Sequence, residues 1–294
     1  MPASDALRRI RGRLEYFFSL HGFKKHPVLT LWRAAAWRVH CFLGIPATVR
    51  ISRWNATLTL PPEWSGAGAT LFYVVREYYE PELTFLDRFL HTGETFVDAG
   101  ANCGVYTMAA ASITGEKGLV LAFEPGREVF SALKRSASRN GGRQIRLFEI
   151  GLSNVSGAAQ LYSHPHGASS FSLGNADGSG SSSTIEVKKL DDVLDAEGVK
   201  NVDCIKMDVE GAEELILQGA TKLFDRCKPR VIFEINPTAI AALNLKHDGA
   251  WRFLEIRGYN FCTIDEEGVI TPLKEPPADG NVIALPAGEP APGR

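Results

Sequence analysis

A chain of 294 residues has room for one α/β domain and an N-terminal addition, and its 45% hydrophobic and 22% charged content excludes fibrous and wholly unstructured classes. The formal net charge of −2 conceals an asymmetry: residues 1–53 hold ten Lys or Arg against two acids, so the remainder is strongly acidic. That balance gives no reason to expect nucleic acid as a partner of the main domain.

Residues 5–20 are expected to form a basic amphipathic helix, with Leu7, Ile10, Leu14, Phe17 and Phe18 on one face and Arg8, Arg9, Arg11 and Arg13 on the others. Such a helix suits an anionic membrane surface or an acidic partner. It equally suits packing on its own domain with a solvated arginine face. A second helix over Trp32 to Val39 is ended by Pro46, and residues 47–60 alternate as a strand or hairpin closed by Pro61 and Pro62. Residues 1–70 therefore read as a basic N-terminal extension, 71–285 as the main domain and 286–294 as a disordered tail rich in Pro and Gly. The main domain opens with Tyr79-Glu80-Pro81 and a helix carrying Leu83, Leu86, Phe89 and Leu90.

Thr95, Phe96 and Val97 then form a short β-prone run, as for a strand buried on both faces, which breaks at Asp98-Ala99-Gly100 and resumes as a helix through Tyr106 and Met108. Gly100 and Gly104 let backbone approach a ligand closely. The turn lacks the third glycine of a dinucleotide fingerprint, and an acid at Asp98 would repel a pyrophosphate on the helix N-terminus. It suits a positively charged ligand, and S-adenosylmethionine carries an ammonium and a sulfonium. A second strand ends in Glu124, 20 residues after Gly104, where a carboxylate accepts both hydroxyls of a ribose.

A helix over 127–139 and a strand over 144–150 follow. Residues 163–184 hold eight Ser and four Gly with His164 and His166 near the start, and read as a mobile lid or a disordered insert. A strand over 184–190 and a short helix over 191–197 lead to the strand Val202–Asp208. The next helix opens at Val209 and carries Leu215, Ile216, Leu223 and Phe224 on one face. Residues 230–236, 259–264 and 281–285 supply further strands, with a helix at 251–256. Alternation of this kind means a doubly wound, mostly parallel sheet. Five cysteines without paired spacing point to reduced thiols and a cytoplasmic protein, which could still be peripheral to the inner face of the membrane. No apolar run reaches the ~18 residues of a membrane span, and no signal peptide is expected.

The phrases Tyr79-Glu-Pro-Glu-Leu83, Phe96–Thr107, Ala122-Phe-Glu-Pro125, Ile205-Lys-Met-Asp-Val-Glu-Gly-Ala-Glu213 and Pro229–Glu234 resemble the FkbM family of S-adenosylmethionine-dependent methyltransferases. They cover roughly residues 71–236 and leave 1–70 without a counterpart. The resemblance implies the seven-stranded, Rossmann-like methyltransferase sheet and O-methylation of a hydroxyl on a sugar, glycan or natural product. Cys103 stands where an aliphatic residue is usual and Gly126 where a polar one is commoner.

The expected donor site is Glu80, Asp98, Gly100, Ala101, Asn102, Cys103, Gly104, Tyr106, Glu124, Pro125, Leu152 and Asp208, with Asp98 toward the methionine end and Glu124 on the ribose. Methyl transfer needs an aligned acceptor oxygen, excluded water and a group that takes a proton. Asp208 is the first candidate for that group, with Glu210 beside it, and His164 or His166 offers a better matched ordinary pKa if the lid folds inward. Asp208, Glu234 and Asn236 end neighbouring strands and would suit Mg²⁺, although the resemblance implies no metal and none is expected. The competing readings are a nicotinamide-dependent oxidoreductase, disfavoured by Asp98 and the missing glycine, and a non-catalytic membrane-surface scaffold.

Overall fold

The computed structural model describes residues 15–63, 68–141, 144–163, 171–172 and 182–289. His164, His166, most of the serine- and glycine-rich stretch, the first ten positions of the expected basic helix and residues 290–294 lie outside the described residues.

Short apolar strands need cover on both faces, and the pleat divides their side chains between two layers. Every residue of Phe96–Ala99 is buried in the strand Thr95–Ala99. Phe96 joins one core with Met108, Val120 and Val129, whereas Val97 and Ala99 join another with Leu121, Phe123, Ile205, Leu223 and Trp251. We number the strands β1 (Ala47–Ile51), β2 (Ala56–Leu60), β3 (Thr95–Ala99), β4 (Leu119–Phe123), β5 (Ile145–Phe148), β6 (Gly151–Leu152), β7 (Gly157–Ser163), β8 (Phe171–Ser172), β9 (Ser182–Lys188), β10 (Cys204–Met207), β11 (Arg230–Ile235), β12 (Tyr259–Ile264), β13 (Ile270–Leu273) and β14 (Gly280–Pro286).

The main sheet runs β13-β12-β14-β11-β10-β3-β4-β5. Its five strands from β11 to β5 are parallel, and β14, β12 and β13 are joined on through antiparallel pairings. It is the expected doubly wound α/β sheet, with β13 as an eighth strand at the edge. Pro272 within β13 obscures that strand in the sequence, and an edge position tolerates it because one side of the strand needs no backbone donor. From β3 the chain winds outward through β4 and β5, then returns to place β10 and β11 on the other side. This reversal opens a crevice at the carboxyl ends of β3 and β10.

Several local expectations shift. The second helix is Pro27–Leu43, begun by a proline at its first position and ended at Gly44 in the left-handed region. The run expected as one helix over Leu83–Leu90 divides into Pro81–Thr84 and a 3₁₀ turn at Leu86–Arg88. The helix expected from Val209 begins at Glu213 and breaks after Gln218, resuming over Thr221–Arg226. Its start is delayed because Glu210 and Gly211 both have positive φ. An added Cβ at Gly211 would lie 2.5 Å from the Ala239 carbonyl carbon, so the loop there requires glycine.

The strand expected over 144–150 ends at Phe148. Gly151 then starts β6 of a separate sheet, ordered β6-β9-β7-β8, which also holds the strand expected over 184–190. Within the sequence called tail, Pro286 still belongs to β14.

The β1–β2 hairpin sits against the helix Arg127–Arg139. The Asn140 side chain accepts from Thr57 N–H at 2.8 Å and donates to Thr57 O at 2.7 Å, and Thr59 N–H donates to Ser136 Oγ at 2.9 Å. Trp37, Val49 and Leu58 consequently share a core with Phe96 and Met108, on both sides of residue 70.

Candidate active site

The turn after β3 is shaped by its neighbours. Gly100 has φ +78°, and a Cβ there would lie 1.9 Å from the Asp208 carbonyl oxygen, so only glycine lets the end of β10 pass against it. The N–H groups of Gly100 and Ala101 both donate to Phe123 O, at 3.0 and 2.9 Å. Asn102 N–H donates to Glu124 Oε2 at 2.9 Å, and Gly126 N–H donates to Oε1 at 2.7 Å. Glu124 is thereby fixed at the tip of β4. Burial pushes its carboxyl up to about 7 against the pull of those two backbone donors.

A cavity of about 340 Å³ opens over these strand ends, of a size common for small-molecule sites. Glu80, Gly100, Asn102, Glu124, Pro125, Leu152 and Asp208 of the expected donor set line it, together with Tyr79, Glu210, Glu234 and Asn236. Ala101, Cys103, Gly104, Tyr106 and Asp98 stand behind that wall. Cys103 is buried, with burial raising its thiol to about 12, so it acts as a small packing residue. Tyr106 donates from its hydroxyl to Glu80 Oε2 at 2.6 Å and so positions a residue of the wall.

Asp98 is fully buried and is not among the residues lining the cavity, so a hold on the methionine end would run through the turn, as expected from sequence. Asp98 is paired with Lys206 on β10, and its Oδ2 accepts from Thr107 Oγ1 at 2.6 Å on the following helix. Its Oδ1 has no hydrogen-bond partner among the described residues. Burial raises its carboxyl and the Lys206 charge opposes that rise.

Lys206 was not singled out by the sequence reading. It occupies a four-residue strand that is buried throughout, and its Nζ lies 3.1 Å from Asp208 Oδ2 and 4.8 Å from the centre of the Tyr106 ring. Burial works against its charge, but the carboxylates of Asp208, Asp98 and Glu80 outweigh that and raise its pKa. A lysine between Ile205 and Met207 in a buried run was the available signal, because a charge there needs partners.

The opposite wall is a cluster of carboxyls. Asp208 is half-buried and ion-paired to Lys206. Glu210, at φ +52°, receives a hydrogen bond from Asn236 Nδ2 at 3.2 Å; burial and the Asp208 charge raise its carboxyl to about 7. Glu234 is pushed up to about 8 by burial, Asp208 and Glu210. Glu213, also missed, braces the loop from beneath, accepting from Val209 and Gly211 N–H at 3.2 and 3.4 Å. Asn236 accepts from Ala239 N–H while it donates to Glu210, so both ends of its amide are engaged.

Residues 98–261 match the model of the methyltransferase FkbM domain, which is more than half of the chain. The chain belongs to the FkbM methyltransferase family. It is 32% identical over 124 residues to a hexuronic acid methyltransferase, AglP, of Haloferax volcanii, covering 42% of this chain and 48% of that protein. Over 142 residues it is 26% identical to Methyltransferase 1 of Beauveria bassiana, covering 42% of this chain and 57% of that protein. The chain thus spans about half the length of these relatives. The solved FkbM methyltransferase of Methylobacillus flagellatus superposes with a TM-score of 0.43 at 20% identity, over 74% of this chain and 55% of that one.

The methyl donor of the FkbM family is S-adenosylmethionine, and the residues present fit it. Among the described residues lining the cavity there is no Lys or Arg, while five carboxyl side chains, Glu80, Glu124, Asp208, Glu210 and Glu234, face it. Such a wall favours a ligand bearing ammonium and sulfonium charges and disfavours a pyrophosphate. Glu124 stands where it would hold ribose hydroxyls. The unsatisfied Oδ1 of Asp98 leaves acceptor capacity beneath the turn.

Proposed function

We propose that this FkbM protein is an S-adenosylmethionine-dependent O-methyltransferase acting on a hydroxyl of a sugar, glycan or natural product. The observation that carries the reading is one cavity lined both by Glu124, the ribose ligand of this reading, and by the Asp208–Glu210–Glu234 cluster. The donor supplies a methyl group already activated by the sulfonium. The chain's own part is to orient the acceptor oxygen, exclude water and take its proton.

Asp208 and Glu210 divide that work. Lys206 engages Asp208 Oδ2 and holds this carboxylate in one direction, which suits orientation of the hydroxyl. Glu210, with its carboxyl at about 7, is matched to accept a proton near neutral pH. This reading places Glu210 ahead of Asp208 for the proton, where the sequence alone places Asp208 first. His164 and His166 lie outside the described residues.

A sugar acid is the first acceptor class to test, because a relative is named for a hexuronic acid. The test is an acceptor panel of uronic acids, neutral sugars and phenols with a radiolabelled methyl donor. Label in an alkali-stable ether on a hydroxyl is the expected product. An alkali-labile ester would place the methyl on a carboxylate and overturn the assigned chemistry. Calorimetry with S-adenosylhomocysteine against NAD addresses the oxidoreductase reading, which gains only if NAD binds and the thioether does not.

A further inference from the structure

The helix Pro27–Leu43 carries apolar residues on two opposite sides. Thr30, Trp37 and Cys41 point inward and are buried, with Trp37 Nε1 donating to Thr70 Oγ1 at 3.0 Å and to Glu63 O at 3.1 Å. At 100° per residue, Val28, Leu31, Trp32, Val39, Phe42 and Leu43 fall within an arc of about 120° on the opposite side. That side is open: Val28 is 80% exposed, Trp32 65% and Phe42 79%. Scattered surface hydrophobics need no explanation, but a continuous stripe along one helix does.

The sequence that holds the stripe carries charge of one sign. Residues 16–62 contain six Lys or Arg and no Asp or Glu. Lys24 and Lys25 are exposed just before the helix, and Arg38 is exposed at the edge of the stripe. A second copy of the chain would bring the same basic rim against itself across a two-fold axis, with like charges opposed. An anionic lipid surface answers both features, taking the apolar stripe into the acyl boundary and the cations among the headgroups. The helix, 17 residues or ~26 Å long, lies on such a surface, since no helix among the described residues is long and apolar enough to cross a membrane.

We infer that the outer face of Pro27–Leu43 docks this protein on anionic bilayers, with Trp32 and Phe42 as the inserted anchors. The contact is independent of the methyl-transfer reading, because these residues do not line the cavity.

The test is co-sedimentation of the full chain with vesicles of phosphatidylcholine and phosphatidylglycerol at low salt, beside vesicles of phosphatidylcholine alone. The protein is expected to pellet with the anionic vesicles and to be released by salt. The double variant Trp32→Glu/Phe42→Glu should lower partitioning roughly tenfold or more, with circular dichroism and S-adenosylhomocysteine affinity unchanged. A parent protein that stays in the supernatant overturns the inference. So does a double variant that pellets like the parent, which would move the contact to residues 1–14. A parent dimer that the double variant converts to monomer, without vesicle binding in either, assigns the face to self-association instead.

Discussion

Glu210 illustrates how a single side chain acquires its chemistry from its surroundings. Its left-handed backbone turns it over the ends of β10 and β11, where burial and the neighbouring Asp208 charge keep its proton bound up to about pH 7. Glu210→Gln retains shape and hydrogen-bonding capacity but cannot take a proton. It is expected to lower kcat by roughly 10²-fold or more with donor affinity near that of the parent, as when an interaction of the transition state is removed. Loss of donor binding with turnover retained at saturating donor would instead make Glu210 a cofactor ligand.

Lys206 calls for a different measurement. It is the buried cation facing Asp98, Asp208 and Glu80, so Lys206→Met leaves those carboxyls to repel one another. The expected loss is on the order of 3–5 kcal/mol of unfolding free energy in a urea titration, the range for breaking a buried pair.

At the scale of elements, the polar contacts between the β1–β2 hairpin and the helix Arg127–Arg139 centre on one residue. Asn140 exchanges two hydrogen bonds with the Thr57 backbone and donates to Ser136 O at 2.6 Å. Asn140→Ala leaves the part-buried Thr57 backbone groups unpaired and should cost about 1–3 kcal/mol in denaturation. Donor affinity should change little, because neither Asn140 nor Thr57 lines the cavity. If donor affinity instead fell in step with stability, the hairpin would be coupled to the donor site.

Over the whole molecule, the carboxyls gathered at the strand ends set the pH response. Glu80, Glu124, Glu210 and Glu213 are raised to about 7 and Glu234 to about 8, from 4.5 in the unfolded chain. Between those limits the native state binds more protons than the unfolded state, so stability falls as pH rises. Their favourable contribution is present at about pH 4.5 and is lost by about pH 8. The melting temperature of the ligand-free protein should therefore decline from pH 6 to about 8, with a shallower slope in Glu234→Gln. A cationic donor favours the ionised carboxylates and should bind more tightly as pH rises through the same window. Binding should release protons, read as a dependence of calorimetric enthalpy on the ionisation heat of the buffer. A flat melting profile would mean that these groups ionise in the fold much as they do in the unfolded chain.

What the amino-acid order determined by itself was local and periodic. The apolar runs ending in Asp98, Glu124 and Asp208, and the glycine turn at Gly100, state a strand–turn–helix sheet and a negatively charged site at its carboxyl edge. These features are legible because a buried strand and a tight turn each restrict residue type over a few consecutive positions. Tertiary structure decided what depends on pairing between distant segments. The register of β3 with β10 set the buried Lys206 beside Asp98. The positive φ at Glu210 and Gly211 replaced the first turn of an expected helix with a loop that aims a carboxyl at the cavity. The second sheet escaped notice because β7, Gly157 to Ser163, is polar and small, and Leu161 is its one fully buried side chain among the described residues. The outer stripe of Pro27–Leu43 was not legible either, since a sequence of apolar residues does not say which face a fold will cover and which it will leave to another surface.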